Sequence, residues 1–132
     1  MLFRSEEIGA GRIDERTVIC VLTHDPKFDV PTLLEALRGP EVAYIGAMGS
    51  RRTHADRVRR LLKAGLAQEE IDLVHSPIGL DLGARTPEET AVSIAAQIIA
   101  LRWGGSGAQL SAESGPIHRA VELPTEAPPL VR

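Results

Sequence analysis

The sequence predicts an α/β chain: three strand–helix units on a parallel sheet, half of a doubly wound fold, with a flexible tail behind them. Three observations predict it. Apolar runs alternate with helix-like stretches at intervals of roughly 25–30 residues, the rhythm of βαβ units. The first run, Thr17-Val18-Ile19-Cys20-Val21-Leu22, lacks polar alternation, which suits a strand buried on both faces. From Gly104 onward, four glycines and four prolines fall among 29 residues without periodicity, the composition of a flexible tail. The expected organisation is a lead-in over 1–16, an α/β body over 17–103 and a tail over 104–132. Three strands are about half the number in a doubly wound sheet, so a sheet edge and apolar helix faces should be left uncovered.

Each element has its local reason. After the first strand, Asp29 is placed to cap a helix with Pro31 in its first turn and Leu33, Leu34 and Leu37 as its apolar stripe. Gly39-Pro40 stops that helix. Val42-Ala43-Tyr44-Ile45 reads as the second strand, ending at Gly46-Ala47-Met48-Gly49. Ser50 then caps a helix with Ala55, Val58, Leu61 and Leu62 inward, Arg57, Arg59, Arg60 and Lys63 in water, and Gly65 at its close. Ile71–His75 is a weaker third strand. Thr86-Pro87-Glu88-Glu89 combines a capping box with proline at the first helical position. The helix it opens runs to about Trp103, and its nearly all-round apolar surface predicts burial.

Composition excludes several classes. The chain has 132 residues, 43% of them hydrophobic and 25% charged, and a net charge of −3, so it is neither a disordered polymer nor a nucleic-acid binder by charge. Six basic residues against Asp56 between Arg51 and Lys63 give that segment +5, leaving −8 elsewhere. Only two Phe, one Tyr and one Trp are available, which disfavours stacking platforms for single strands. Cys20 is the single cysteine, expected as a buried inert thiol, and the four histidines show no metal-ligand spacing. No apolar run approaches the ~18 residues of a membrane span. Met1–Glu7 lacks a leader's apolar stretch, so a soluble cytoplasmic chain is expected.

Ligands of open parallel sheets bind beyond the carboxyl ends of the strands, where three unusual loops fall. Gly46-Ala47-Met48-Gly49-Ser50-Arg51-Arg52 joins a Gly-rich turn to a helix start with two guanidinium groups, a pattern for holding an anion such as phosphate. An ordinary strand–helix turn would use the same Gly and Ser. Thr23-His24-Asp25 could provide an acid–base pair, fix a ligand's polar edge, or simply turn the chain. His75, Gly79 and Asp81 occupy the third loop, where Asp81 either meets a polar ligand or makes an Asx turn. No dinucleotide fingerprint is present: Gly9-Ala10-Gly11 precedes a strand rather than a helix.

Three stretches together resemble the XdhC/CoxI family of accessory proteins of xanthine dehydrogenase and related molybdenum hydroxylases. They are Leu22-Thr23-His24-Asp25-Pro26-Lys27-Phe28-Asp29, Tyr44–Arg52, and Pro77–Glu89 with its Pro-Ile-Gly-Leu-Asp-Leu-Gly-Ala-Arg-Thr-Pro-Glu-Glu. The likeness covers about residues 17–103 and corresponds to the second half of the family's C-terminal, Rossmann-like domain. It implies a chaperone, not itself the oxidoreductase, that binds molybdenum cofactor (molybdopterin), assists its sulfuration by a cysteine desulfurase, and delivers it to a hydroxylase such as xanthine dehydrogenase. It implies no catalytic residues and no metal ligands of the chain's own. The three strand-end loops supply the candidate cofactor contacts for that role: Thr23, His24, Asp25, Gly46, Gly49, Ser50, Arg51, Arg52, His75, Gly79 and Asp81. A homo-oligomer, or a chain carrying the missing N-terminal half, is the expected assembly. Two other readings stay open: a partner-docking module without cofactor, and a remnant of a nucleotide-dependent oxidoreductase.

Overall fold

A computed structural model describes residues 12–118, which fall into two compact units, 12–78 and 79–118. The sequence's Met1–Glu7 and Gly9-Ala10-Gly11 segments, and residues 119–132 of the expected tail, lie outside the described residues.

The first unit contains β1 (Val18–Val21), α1 (Pro26–Arg38), β2 (Tyr44–Ala47), α2 (Arg51–Lys63), the short α3 (Gln68–Ile71) and β3 (Val74–His75). The strands form one parallel sheet in the order β1-β2-β3. Alternation along the strands separates two faces. Ile19, Ile45 and Val74 align across one face and join Leu33 and Ala36 of α1 and Leu61 of α2 in the aliphatic core. Cys20, Gly46 and His75 align on the other. Ile13 of the lead-in also enters the core.

Burial on both faces belongs to β2, the central strand, whose four residues are all buried. For β1 that expectation is corrected: among the described residues it is an edge strand, with Ile19 and Val21 buried and Val18 37% exposed. An unbroken apolar run states that a strand is hydrophobic but not how many neighbours it has. β2 also sits later than expected, taking in Gly46 and Ala47 while Val42 and Ala43 lead into it. The Ile71–His75 candidate shortens to Val74–His75 because Ile71, fully buried, closes α3.

Helix ends follow capping chemistry, with one correction. α1 is capped by Asp25, not Asp29: the Asp25 carboxylate accepts the Lys27 N–H at 3.0 Å, and Pro26 takes the first helical position. Asp29 is buried one turn further on. Ser50 caps α2 as expected, accepting the Thr53 N–H at 3.1 Å. Gly65, at φ +100°, lets the chain turn back, so that the Leu66 N–H reaches the Leu61 carbonyl at 3.2 Å. The inward face of α2 differs from expectation: Arg57 and Leu61 are buried, whereas Ala55 and Leu62 are exposed.

The second unit is built on α4 (Pro87–Trp103). Its capping box is complete, with Glu89 N–H to Thr86 Oγ1 at 3.2 Å and Thr86 N–H to Glu89 Oε1 at 3.1 Å. Gly104, left-handed at φ +70°, ends it. The expected burial of this helix is corrected. Ser93 is its only buried residue, and Val92 and Ile99 are each 60% exposed. Within the unit the helix meets the 79–80 segment along one side: Ser93 Oγ donates to the Leu80 carbonyl at 2.6 Å, and Gln97 Oε1 accepts the Gly79 N–H at 2.9 Å. Residues 104–118 are exposed and carry one 3-10 turn, Leu110–Ala112.

Candidate functional site

Because the three strands are parallel, their carboxyl ends share one edge of the sheet, and the loops leaving them are laced together. The Met48 N–H donates to the Val21 carbonyl at 2.8 Å, tying the loop after β2 to β1. The Ile78 N–H donates to the Ala47 carbonyl at 3.1 Å, tying the segment after β3 to β2. Thr23, His24, Asp25, Gly49, Ser50, Arg51, Arg52 and His75 therefore gather along this edge. Gly79 and Asp81 belong to the second unit. There Gly79, at φ +100°, lies against Ser93 so closely that a side chain would collide with it, and Asp81 is exposed.

The candidates differ in what they offer. Gly46 is inside β2, and a Cβ there would lie 2.6 Å from Ile78 Cγ1 and from the Tyr44 hydroxyl. Its smallness is needed for packing. Gly49 is different: its φ of +134° favours glycine, and a Cβ would come within 3.1–3.3 Å of Thr53 and of Arg57 Nη1. Ser50 spends its hydroxyl on the helix cap. Arg51 and Arg52 occupy the first two helical positions, exposed and without an ion-pair partner among the described residues. His24 is exposed beside the Asp25 cap. The His75 ring stacks on Tyr44, with centroids 5.1 Å apart and planes 3° from parallel. Burial holds its pKa below the ordinary histidine value, which favours a neutral ring, and its Nε2 finds no partner among the described residues. Cys20, beside Gly46 in the sheet, has its thiol pushed up by burial, as an inert core cysteine should.

Two residues outside the expected set hold the arrangement together. Arg57, expected in water, and Asp29, expected as a cap, are each 1% exposed and form a buried ion pair, Nη2 to Oδ2 at 2.6 Å. Arg57 Nη1 donates to the Met48 carbonyl at 2.6 Å, and Nη2 also reaches the Thr23 carbonyl at 3.2 Å. The Thr23 hydroxyl donates to the other Asp29 oxygen. One guanidinium thus bridges the loops after β1 and β2. The signal was present: Arg57 lies four residues before Leu61 and three after His54, on the inward face of α2. A run of basic residues around it gave it the look of a solvated surface.

A three-stranded parallel sheet whose strands alternate with helices defines an α/β domain of the Rossmann-like kind. A model of the XdhC Rossmann domain matches residues 3–98, and the chain belongs to that family. The match starts nearer the N-terminus than the motif-bearing stretch from residue 17. Among relatives, the molybdenum cofactor insertion chaperone PaoD of Escherichia coli (strain K12) is 33% identical over 93 residues, covering 70% of this chain and 29% of that protein. A probable xanthine dehydrogenase subunit of Bacillus subtilis (strain 168) is 39% identical over 82 residues, covering 62% and 22%. A crystal structure of a xanthine dehydrogenase from Bacillus halodurans superposes with a TM-score of 0.57 at 32% identity, covering 76% of this chain and 28% of that one. The chain thus spans less than a third of the length of each of these relatives.

Proposed function

We propose that this chain is an accessory domain that holds molybdenum cofactor, by the phosphate of its pterin tail, for delivery to a molybdenum hydroxylase of the xanthine dehydrogenase kind. The cofactor is cargo, and the chain contributes binding, not turnover. In this reading it works in the cytoplasm, receives cofactor sulfurated by a cysteine desulfurase, and docks on the apo-hydroxylase.

One observation carries the reading. α2 begins with Arg51 and Arg52 and has no acidic residue in its first turn. The partial positive charge of a helix N-terminus disfavours cations there and favours anions. Two arginines at that end stand against the helix's own field, and a bound phosphate offsets both. Gly49 suits the turn that leads into this helix start, since its φ of +134° favours glycine and a Cβ there would crowd Thr53 and Arg57 Nη1. His24 and Asp25 border the same edge from the loop after β1 and provide contacts for polar atoms of the pterin. The insertion-chaperone name of the Escherichia coli relative supports the same cargo.

The test replaces Arg51 and Arg52 together by alanine in the full chain. Binding is followed with molybdenum cofactor released anaerobically from a molybdenum hydroxylase. Loss of a charge-assisted pair of this kind is worth about 1.5–3 kcal/mol, so affinity should fall roughly 10–150-fold. Thermal stability should hold or rise slightly, because two cations leave the positive helix end. Unchanged affinity in the folded variant would remove the anion site from this turn.

A further inference from the structure

We propose that Arg57 is the positioning residue of this edge: its buried guanidinium, clamped by Asp29, sets the loop after β1 against the loop after β2 and so presets the donors that a bound phosphate meets. The proposal rests on the anion-site reading above, and adds a residue that touches no ligand.

The geometry goes beyond simple bracing. A trans peptide points its carbonyl and its following N–H to opposite sides of one plane. Arg57 draws the Met48 and Thr23 carbonyls toward itself. The N–H groups of Gly49 and His24, on the same two peptide planes, must then point away from the guanidinium. Neither finds an acceptor among the described residues. They come from two different loops, one beside the exposed His24 and one immediately before the α2 cap. Without the bridge each loop could rotate its own peptide, since the Met48 N–H to Val21 carbonyl bond ties the second loop to β1 and not to the loop after it. A Cβ at Gly49 would lie 3.3 Å from Arg57 Nη1, so glycine and arginine are matched to one another. Asp29 is matched too, because its second oxygen takes the Thr23 hydroxyl and fixes the loop from its other side.

Lysine can neutralise Asp29 but, with a single ammonium, cannot hold two carbonyls and a carboxylate in one plane. Arg57→Lys is therefore compared with Leu61→Ala, which weakens the fold from the same helix face but leaves the bridge intact, and with Arg51→Ala/Arg52→Ala. The probe is again released molybdenum cofactor, titrated at several salt concentrations. Arg57→Lys should lower affinity about tenfold, the equivalent of one lost hydrogen bond to a charged group. Its salt dependence should match the wild type's, because the exposed arginines are untouched. Arg51→Ala/Arg52→Ala should flatten that dependence, and Leu61→Ala should bind normally at temperatures where it is folded. Wild-type affinity in Arg57→Lys, or equal losses in Arg57→Lys and Leu61→Ala, would make Arg57 a mere stability element and overturn the proposal. If Arg57→Lys does not fold, Asp29→Asn gives the same comparison. Normal binding by Arg51→Ala/Arg52→Ala would instead overturn the anion-site reading, so the two failures are distinct. A wild-type chain that binds no cofactor would end both.

Discussion

His54 and His75 make the first unit sensitive to mild acid. Burial lowers the pKa of both, and at His54 the Arg57 guanidinium adds to the effect. A histidine whose folded pKa lies below its unfolded value of 6.5 binds fewer protons in the native state. Its stability contribution is then complete above that value and declines as pH falls from there toward the folded pKa. The carboxylates held low, Asp56 by Arg59 and Arg60 and Glu89 by its capping box, respond only further into acid. Thermal melts should therefore show the melting temperature falling between about pH 7 and pH 5.5, before Asp56 and Glu89 respond. A His54→Gln, His75→Gln double variant should show a flatter profile over that interval. An unchanged slope would mean that neither ring is kept neutral by the fold. Residue-scale chemistry was only partly legible in the sequence. His24, Asp25 and the two exposed arginines stand at the strand ends because their loops are recognisable from Gly, Pro and Ser. Arg57 and Asp29 were missed: the basic run around Arg57 masked its helix phase beside Leu61, and Asp29 resembles a cap until tertiary distance pairs the two.

At the scale of elements, what could be read was whatever local chemistry decides. The caps of α2 and α4, the stop at Gly39 and the glycine closures at Gly65 and Gly104 follow from side-chain and backbone rules over a few residues. Strand limits and helix burial did not follow, since they depend on neighbours: β1 became an edge, Gly46 moved from turn to strand, and α3 took Ile71 from the third strand. The turn between β2 and α2 offers a test at this scale. Gly49→Ala introduces a side chain at φ +134°, where L residues are strained by about 1–3 kcal/mol, and crowds Thr53 and Arg57. The urea midpoint should fall accordingly, and cofactor affinity should fall with it even at low denaturant. A fully stable Gly49→Ala variant would show that this turn can relax, and that glycine serves neither the backbone nor the bridge. Gly46→Ala is the counterpart: it should disturb packing at Ile78 and Tyr44 while leaving any change in affinity proportional to the loss of fold.

For the whole molecule, the sheet order β1-β2-β3 leaves two edges among the described residues, and apolar side chains remain on the surface of both units. In the first, Val18 and Leu22 are exposed beside the β1 edge. In the second, Val92, Ile99 and Trp103 are exposed on α4. Among the described residues no helix is long and apolar enough to cross a membrane. An unpaired strand edge flanked by apolar groups invites another chain. Covering several hundred Å² of apolar surface at ~25 cal/mol per Å² gains roughly 5–10 kcal/mol, against an association cost of at least about 4 kcal/mol. The balance, at most about 6 kcal/mol, corresponds to a weak complex with a dissociation constant no tighter than roughly tens of micromolar. Light scattering on the full chain should accordingly show a mass rising with protein concentration. Val92→Ser/Ile99→Ser on α4, or a lysine at Val18 on the β1 edge, should shift that rise to higher concentration, and comparing them tells which surface is used. A chain that stays monomeric throughout and unfolds in one cooperative step would show that neither surface drives self-association.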